Sequence, residues 1–216
     1  MDTRLRPWVS TIGTETSRND HLVHEPDTAT AVVFCAGAAE PHVTGPRARA
    51  GYYRGTGTRT VIRLTPGRAQ SLLGAPVDAP AEEVVPLSAL WGHHVHTAAE
   101  LHEALLARAA AADRSRSNLT ETAARLLLRH SVADTARALH VSERHLRTLF
   151  TRAVGLSPKT YARIARLRRV PATGGAATPT DLGYYDQSHL TAEFRAAMGV
   201  PPSAYFAGRR PESRTC

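Results

Sequence analysis

Residues 142–158 read SERHLRTLFTRAVGLSP and residues 186–202 read DQSHLTAEFRAAMGVPP, so one pattern occurs twice in the chain. The two segments align without a gap at an offset of 44 residues. The pairs of identical residues are His145/His189, Leu146/Leu190, Phe150/Phe194, Ala153/Ala197, Gly155/Gly199 and Pro158/Pro202. A repeat of this kind indicates one supersecondary unit that is used twice.

The first segment has the pattern of a short amphipathic helix. Ser142 is a typical N-cap residue, because its hydroxyl can accept a hydrogen bond from a free backbone N–H of the first turn. Leu146, Phe150 and Ala153 recur at i, i+4 and i+7 and form one buried stripe. Gly155 follows the stripe and predicts a left-handed helix end. The second segment carries the same features at the equivalent positions.

Another short helix precedes the first segment and begins with a capping box at Ser131 and Asp134. Two short helices joined by a tight turn, here at residues 139–141, are typical of a helix-turn-helix. On the second of them, Arg144, Arg147, Thr148 and Thr151 lie opposite Leu146 and can donate hydrogen bonds to bases or phosphates. The same polar face would also suit an ordinary bundle helix in contact with solvent.

The charge is distributed unevenly between the two halves of the chain. Residues 1–113 hold ten arginines and twelve acidic residues, a net charge of −2, whereas residues 114–216 hold seventeen basic and seven acidic residues, a net charge of +10. A basic half joined to a nearly neutral half favours a polyanion as the partner of the basic half.

These segments resemble the DNA-binding domain of the AraC/XylS family of bacterial transcription regulators, in which a long helix joins two helix-turn-helix units. Residues 142–170 resemble the first unit with its joining helix. Residues 182–205, LGYYDQSHLTAEFRAAMGVPPSAY, resemble the most characteristic stretch of the family. The resemblance covers about residues 118–207.

The resemblance implies that residues 142–152 and 186–198 are two recognition helices. Two such helices on one rigid domain would read successive major-groove segments about one turn (~34 Å) apart. The candidate base-reading residues are Arg144, Arg147 and Thr148 in the first helix, and Gln187, Ser188, Thr191 and Arg195 in the second.

The joining helix that would start at Pro158 has basic residues opposite its apolar face. Lys159, Arg163 and Arg166 lie on that side, and we expect them to contact DNA phosphates. Arg168 falls near the apolar face by helical position. We therefore expect Arg168 to pair with an acidic residue or to cap a helix end.

The second unit departs from the family pattern. Its first helix should precede Gly183, but residues 174–182 read GGAATPTDL, and two glycines and a proline are incompatible with a regular helix there. Thr178, Pro179 and Asp181 allow about one capped turn. About two turns are therefore missing, and a non-specific or partly defective DNA binder is the alternative function. His140 stands where the family usually has Gly, a small cost because His tolerates a positive φ.

The N-terminal half has the composition of short strands and turns. Residues 31–35 (AVVFC) and 59–64 (RTVIRL) are strand candidates. Residues 66–76 and 84–92 resemble a small domain of unknown function that precedes this DNA-binding module in some regulators, which implies a cupin-like fold or a partial sandwich.

The predicted fold class is α+β, with a small β-rich N-terminal domain followed by an all-α double helix-turn-helix domain. We expect a sensor or dimerisation domain over residues 1–96 and a helical linker over 97–117. The DNA-binding domain would cover 118–207, and a disordered tail 208–216.

Three groups of side chains in the N-terminal half were considered for chemistry. Four histidines could bind a metal, but they lack the spacing of a cupin metal site; they are His93, His94, His96 and His102. Cys35 could be a reactive thiol, although a small buried core residue fits its apolar context better. Trp8 and Trp91 could line a pocket or belong to the core. We expect no catalytic residue, metal or cofactor, and a metal or thiol enzyme on this domain is the other alternative.

The expected partner is double-stranded DNA. The resemblance also suggests RNA polymerase, a small-molecule effector at the N-terminal domain and a homodimer. No run of eighteen apolar residues is present, so no membrane partner is expected. The first residues do not form a signal peptide, and Cys35 and Cys216 are the two cysteines, so we expect a cytoplasmic protein.

Overall fold

The computed structural model describes residues 2–17, 22–75, 77, 84–112, 115–170 and 178–215. Its strands are β1 (Val9–Ser17), β2 (Leu22–His24), β3 (Ala31–Cys35), β4 (His42–Thr44), β5 (Gly51–Arg54), β6 (Gly57–Leu64), β7 (Val84–Pro86) and β8 (Arg214–Thr215). Its helices are α1 (Ala69–Leu73), α2 (Leu87–Trp91), α3 (Ala98–Ala111), α4 (Ser115–Leu127), α5 (Val132–Ala138), α6 (Glu143–Val154), α7 (Pro158–Leu167), α8 (Gln187–Met198) and α9 (Pro202–Phe206). The predicted α+β class, with a β-rich half before a helical half, is confirmed.

The strands form two sheets. One sheet has the order β1-β6-β3-β4-β7 and is antiparallel throughout, and the other has the order β2-β5-β8. Along β6 the side chains alternate, because successive residues of a strand point to opposite faces. Ile62 and Leu64 face the main core with α1, α2 and α3, whereas Val61 lies on the other face with Ala31 and Val33.

Helix α3 packs into the core of the β-rich half. Leu101 and Leu105 are buried against Leu72 and Trp91, in the same cluster as the sheet residues. We expected residues 97–117 to be a linker between domains. Residues 98–111 of this segment form α3, and the leucine stripe of α3 is covered by the N-terminal core. We therefore propose a domain boundary between α3 and α4.

Helices α4 to α7 pack around a second core. Leu146 and Phe150 of α6 are fully buried there, and Tyr161 of α7 meets the Phe150 ring edge-on at a centroid distance of 5.2 Å. The predicted tight turn between α5 and α6 is present, and His140 adopts a φ of 54° in it.

The described residues before α8 contain the single capped turn that the sequence predicted after Thr178. Thr178 and Asp181 form a reciprocal capping box, in which the Thr178 N–H donates to Asp181 Oδ2 at 2.8 Å and the Asp181 N–H donates to Thr178 Oγ1 at 3.3 Å. The Tyr184 N–H donates to the Pro179 carbonyl at 2.8 Å and closes the single turn. Residues 171–177, which include the two glycines, lie outside the described residues.

The chain end differs from expectation. We predicted a disordered tail from residue 208, but Arg214–Thr215 pairs in parallel with β5 at Tyr53 and Arg54. The strand β5 otherwise has a free edge, and a free edge can pair with any extended segment that reaches it. Within the described part of the chain, no helix has the length and apolar character required to span a bilayer.

Candidate nucleic-acid interface

Helix α6 is held in place by its cap and by its apolar stripe. The Ser142 hydroxyl accepts a hydrogen bond from the His145 N–H at 3.1 Å, and Gly155 ends the helix with a φ of 80°. Leu146 and Phe150 are 0% exposed, so the rotation of the helix about its axis is fixed by the core. The opposite face is therefore presented to solvent in one defined orientation.

The predicted base-reading residues of α6 lie on that exposed face. Arg144, Arg147 and Thr148 are all exposed. The Arg147 guanidinium donates to Glu143 Oε2 at 2.6 Å, and the Thr148 hydroxyl donates to the Arg144 carbonyl at 3.1 Å. The two acceptors, the Glu143 carboxylate and the Arg144 carbonyl, belong to the same exposed helix. Exposed i,i+4 contacts contribute little free energy, so a ligand of this face could replace them.

Helix α8 repeats the arrangement of α6. The Asp186 carboxylate accepts a hydrogen bond from the His189 N–H at 2.7 Å, and Gly199 ends the helix with a φ of 75°. The buried side is formed by Leu190, Phe194, Ala197 and Met198. The predicted readers lie on the other side: Gln187, Ser188 and Arg195 are exposed and Thr191 is half-buried.

The N-terminal half supports the C-terminal end of α8. The Tyr52 hydroxyl of β5 donates to the Met198 carbonyl at 2.6 Å, and the Ala50 N–H donates to the Ala197 carbonyl at 2.7 Å. Tyr52 is buried in one cluster with Phe194 and Met198. These contacts pack the β-rich half against the C-terminal end of α8, and they satisfy two carbonyls of its last turn.

A third contact joins the β-rich half to the last helix. The Tyr205 hydroxyl of α9 donates to Glu25 Oε1 at 2.6 Å. Burial and the neighbouring Glu25 carboxylate raise the pKa of Tyr205, so this phenol remains a hydrogen-bond donor at neutral pH.

The joining helix α7 places its three predicted phosphate-binding residues differently. Lys159 is exposed and Arg163 is half-buried on the polar side, as expected. Arg166 instead turns onto α8, where it donates to both carboxylate oxygens of Glu193 at 2.9 and 3.1 Å. Its guanidinium also lies 4.8 Å from the centroid of the Tyr184 ring and donates to the Gly183 carbonyl at 3.3 Å. Helical position alone could not reveal these acceptors, because all of them belong to the second unit.

Arg168 behaves as the sequence predicted. It is the C-cap residue of α7, and its guanidinium forms an ion pair with Asp27 of the β-rich half. The prediction that Arg168 pairs with an acidic residue or caps a helix end is confirmed.

Several exposed groups near these helices were missed from the sequence. Tyr185 is 86% exposed directly before α8, so its ring can reach a ligand of that helix. Arg129 and Arg169 line a surface cleft of about 310 Å³ between the ends of α4 and α7. Arginines so placed suit phosphate oxygens, but only the packing of two distant helices shows that they share one cleft.

The four histidines considered as metal ligands in the N-terminal half each lie near a carboxylate or a backbone carbonyl. His94 lies 3.6 Å from the Glu40 carboxylate, and the His96 ring nitrogen lies 3.1 Å from the Ala39 carbonyl. His102 is 4.0 Å from Asp2, and His93 contacts the Trp91 carbonyl. Among the residues that the model describes, no cluster of three or more His, Cys, Asp or Glu has metal-binding geometry.

Cys35 and the two tryptophans belong to apolar clusters. Cys35 is half-buried beside Ala31, Val33 and Val61. Trp8 and Trp91 are 2% and 7% exposed and belong to the main core.

A comparison with families of known proteins matches residues 135–208 to the family described as "Helix-turn-helix domain". The matched range starts within α5 and includes α6 to α9, and therefore both predicted recognition helices. No curated protein matches the chain by sequence.

Solved structures of ToxT from Vibrio cholerae have a fold weakly similar to that of this chain. The 1.65 Å P21 form is 11% identical, covers 92% of this chain and 98% of its own chain, and has a TM-score of 0.46. ToxT from strain O395 is 12% identical, with 91% and 97% coverage and a TM-score of 0.47. ToxT bound to (E)-4-(8-methylnaphthalen-1-yl)but-3-enoic acid is 12% identical, covers 92% of this chain and 99% of its own chain, and has a TM-score of 0.47. Similarity at this level supports no assignment of function.

Proposed function

We propose that the chain is a sequence-specific transcription regulator of the AraC type that reads two adjacent major-groove segments with α6 and α8. The match of residues 135–208 to a helix-turn-helix family supports the proposal, because such domains bind DNA in transcription regulators. The observation that carries the proposal is that both helices are capped, buried on one side and polar on the other in the same way. Arg144, Arg147 and Thr148 would read bases from α6. Gln187, Ser188, Thr191 and Arg195 would read them from α8.

Phosphate contacts belong to the joining helix in this proposal. Lys159 and Arg163 would bind the DNA backbone between the two recognition helices, where they position the protein without reading sequence. Arg166 would act indirectly, by fixing α8 against α7 through Glu193. The excess of basic residues after position 113 would attract the duplex and make binding dependent on salt.

The β-rich half would act as a regulatory domain. Its sheets enclose a cavity, and its contacts with α8 and with Arg168 link that cavity to the DNA-binding half. The proposed partners are a small-molecule effector, a second copy of the chain and RNA polymerase. The proposed location is the cytoplasm, and the proposal assigns no catalytic group.

The test is a titration of the full chain with a duplex that carries its selected site and with a scrambled duplex of the same length and composition. A sequence-specific regulator should prefer the selected site by about a thousandfold or more at physiological salt. Equal affinity for both duplexes, together with a steep loss of binding on adding salt, would instead favour the second candidate, a non-specific binder with a weakened second unit.

A further inference from the structure

The two sheets of the β-rich half enclose a cavity of about 280 Å³. Its floor is apolar and consists of Ala31, Val33 and Val61, which face away from the main core. Strand β2 of the second sheet lies across it with Val23 and His24. At roughly 30 Å³ for each water molecule, this space corresponds to about nine waters and suits a ligand of roughly ten non-hydrogen atoms.

The walls of the cavity are charged. Arg59 donates to Glu15 through Nε at 2.9 Å and through Nη2 at 2.6 Å. Arg63, four residues further along β6 and on the same face, bridges Glu15 at 3.2 Å and Asp27 at 2.8 Å. Asp27 in turn pairs with Arg168, which also lines the cavity.

A purely structural sandwich would not place these groups here. The inner faces of packed sheets normally interdigitate apolar side chains, and apolar residues in place of buried ion pairs are often neutral or stabilising. Arg59 and Asp27 have side-chain exposures of only 17% and 16%. A cleft that retains costly charged groups around an open volume has the character of a ligand site.

The charges favour an anionic ligand. The lining contains the arginines Arg47, Arg59, Arg63 and Arg168 and the acids Glu15, Glu25 and Asp27, an excess of one positive charge. Burial and the neighbouring Arg47 and Arg59 lower the pKa of His24 to about 4, so His24 adds no charge at neutral pH. Among the described lining residues the only aromatic rings are the imidazoles of His24 and His42, so no large aromatic face is available to stack on a sugar.

Resting on the proposed regulator function, we infer that this cavity binds a small carboxylate-bearing molecule through Arg59 and Arg63, and that Asp27 transmits its binding to the joining helix α7. Arginine forks match a carboxylate with two parallel hydrogen bonds. A carboxylate that engages Arg63 competes with Asp27 for it and changes the Asp27–Arg168 pair at the end of α7. The ligand then alters the affinity for DNA, and DNA alters the affinity for the ligand by the same factor.

Calorimetric titration of the full chain tests the ligand site. The probes are succinate and benzoate, with inorganic phosphate as another oxyanion and with dimethyl succinate and glucose as uncharged molecules of comparable size. We expect both carboxylates to bind and the uncharged probes not to bind. Failure of both carboxylates to bind at millimolar concentration, or tighter binding of phosphate than of either, would overturn the inference.

Two variants locate the binding. Arg63→Gln should weaken succinate binding at least tenfold. If that variant does not fold, Val61→Phe replaces it, because its larger side chain grows into the open cavity and blocks it without a change of charge. Arg54→Gln, an exposed arginine outside the cavity lining, is the matched control and should bind succinate as the unaltered chain does. Unchanged binding by Val61→Phe would contradict the location.

A second experiment tests the coupling to DNA. The affinity for the selected duplex is measured with and without saturating succinate, and a change of at least fivefold is expected. Asp27→Asn should still bind succinate but lose this change, since the link to Arg168 is no longer ionic. If the chain binds DNA and succinate has no effect, the inference fails and the proposed function stands. If no duplex is preferred, the proposed function fails, and the titrations still decide whether the cavity binds carboxylates.

Discussion

The guanidinium of Arg166 on α7 lies 2.9 Å from the Glu193 carboxylate on α8, so these two helices are held together by an ion pair. His189 approaches the same carboxylate at 3.5 Å. The pair is largely shielded from solvent, with side-chain exposures of 30% and 19%. This contact helps to fix the direction in which α8 presents its polar face.

The two possible roles of Arg166 make opposite predictions for Glu193. If Arg166 positions α8, then Arg166→Gln and Glu193→Gln should both weaken binding to a bipartite site, each by about 1 kcal/mol or roughly fivefold. If Arg166 instead contacts a phosphate, then Glu193→Gln would free it and strengthen binding. Fluorescence anisotropy with a labelled duplex decides between them, and Arg54→Gln, an exposed arginine of the β-rich half, is the control.

Base-reading and phosphate-binding residues should respond differently to removal. Arg144→Ala and Arg147→Ala are expected to cost about 1–3 kcal/mol on the preferred sequence and to relax the preference at one position each. Arg163→Ala should weaken binding to all sequences alike and reduce the salt slope by about one. Competition titrations at several salt concentrations separate these effects. A uniform loss on every sequence from the first two variants would refute α6 as a recognition helix.

Tyr52 provides a test of the support that α8 receives from the β-rich half. Tyr52→Phe removes the 2.6 Å hydrogen bond to the Met198 carbonyl and should cost about 0.5–1.5 kcal/mol of stability. Hydroxyl-radical footprinting should then show weaker protection of the half-site bound by α8 and unchanged protection of the other. Tyr53→Phe, on the adjacent residue of β5, is the control. Equal weakening of both half-sites would argue against a specific support of α8.

His24 should make the stability of the chain depend on pH. Its pKa is lowered from 6.5 to about 4, first by burial and then by Arg47 and Arg59, so the unfolded chain binds more protons than the folded one between these values. Stability should therefore be flat above pH 6.5 and fall as the pH drops from 6.5 towards 4. His42, whose pKa is also lowered by burial, acts in the same direction. Urea unfolding at several pH values should show a shallower fall for His24→Gln, and an unchanged fall would count against the buried, neutral histidine.

The sequence predicted the local features of the DNA-binding half well. The caps at Ser131, Ser142 and Asp186 are all formed, because each depends on residues three positions apart. The strand at residues 31–35 and the single turn after Thr178 were also predicted, because each depends on a few consecutive residues.

Contacts between distant residues could not be predicted. Tyr52 and Met198 are 146 positions apart, and Arg166 reaches an acceptor 27 positions away. Neither pairing leaves a periodic signal in the sequence, since either side chain would suit an exposed surface equally well. The packing of α3 into the N-terminal core and the strand at the chain end were missed for the same reason.

Selection of binding sites from random duplex DNA at near-physiological salt tests the central claim most directly. The account predicts enrichment of a bipartite motif whose two parts lie about one helical turn apart, because α6 and α8 would both read bases. Enrichment of a single short half-site would contradict the reading role of α8. The absence of any enriched motif, with binding that disappears on adding salt, would contradict sequence-specific regulation altogether.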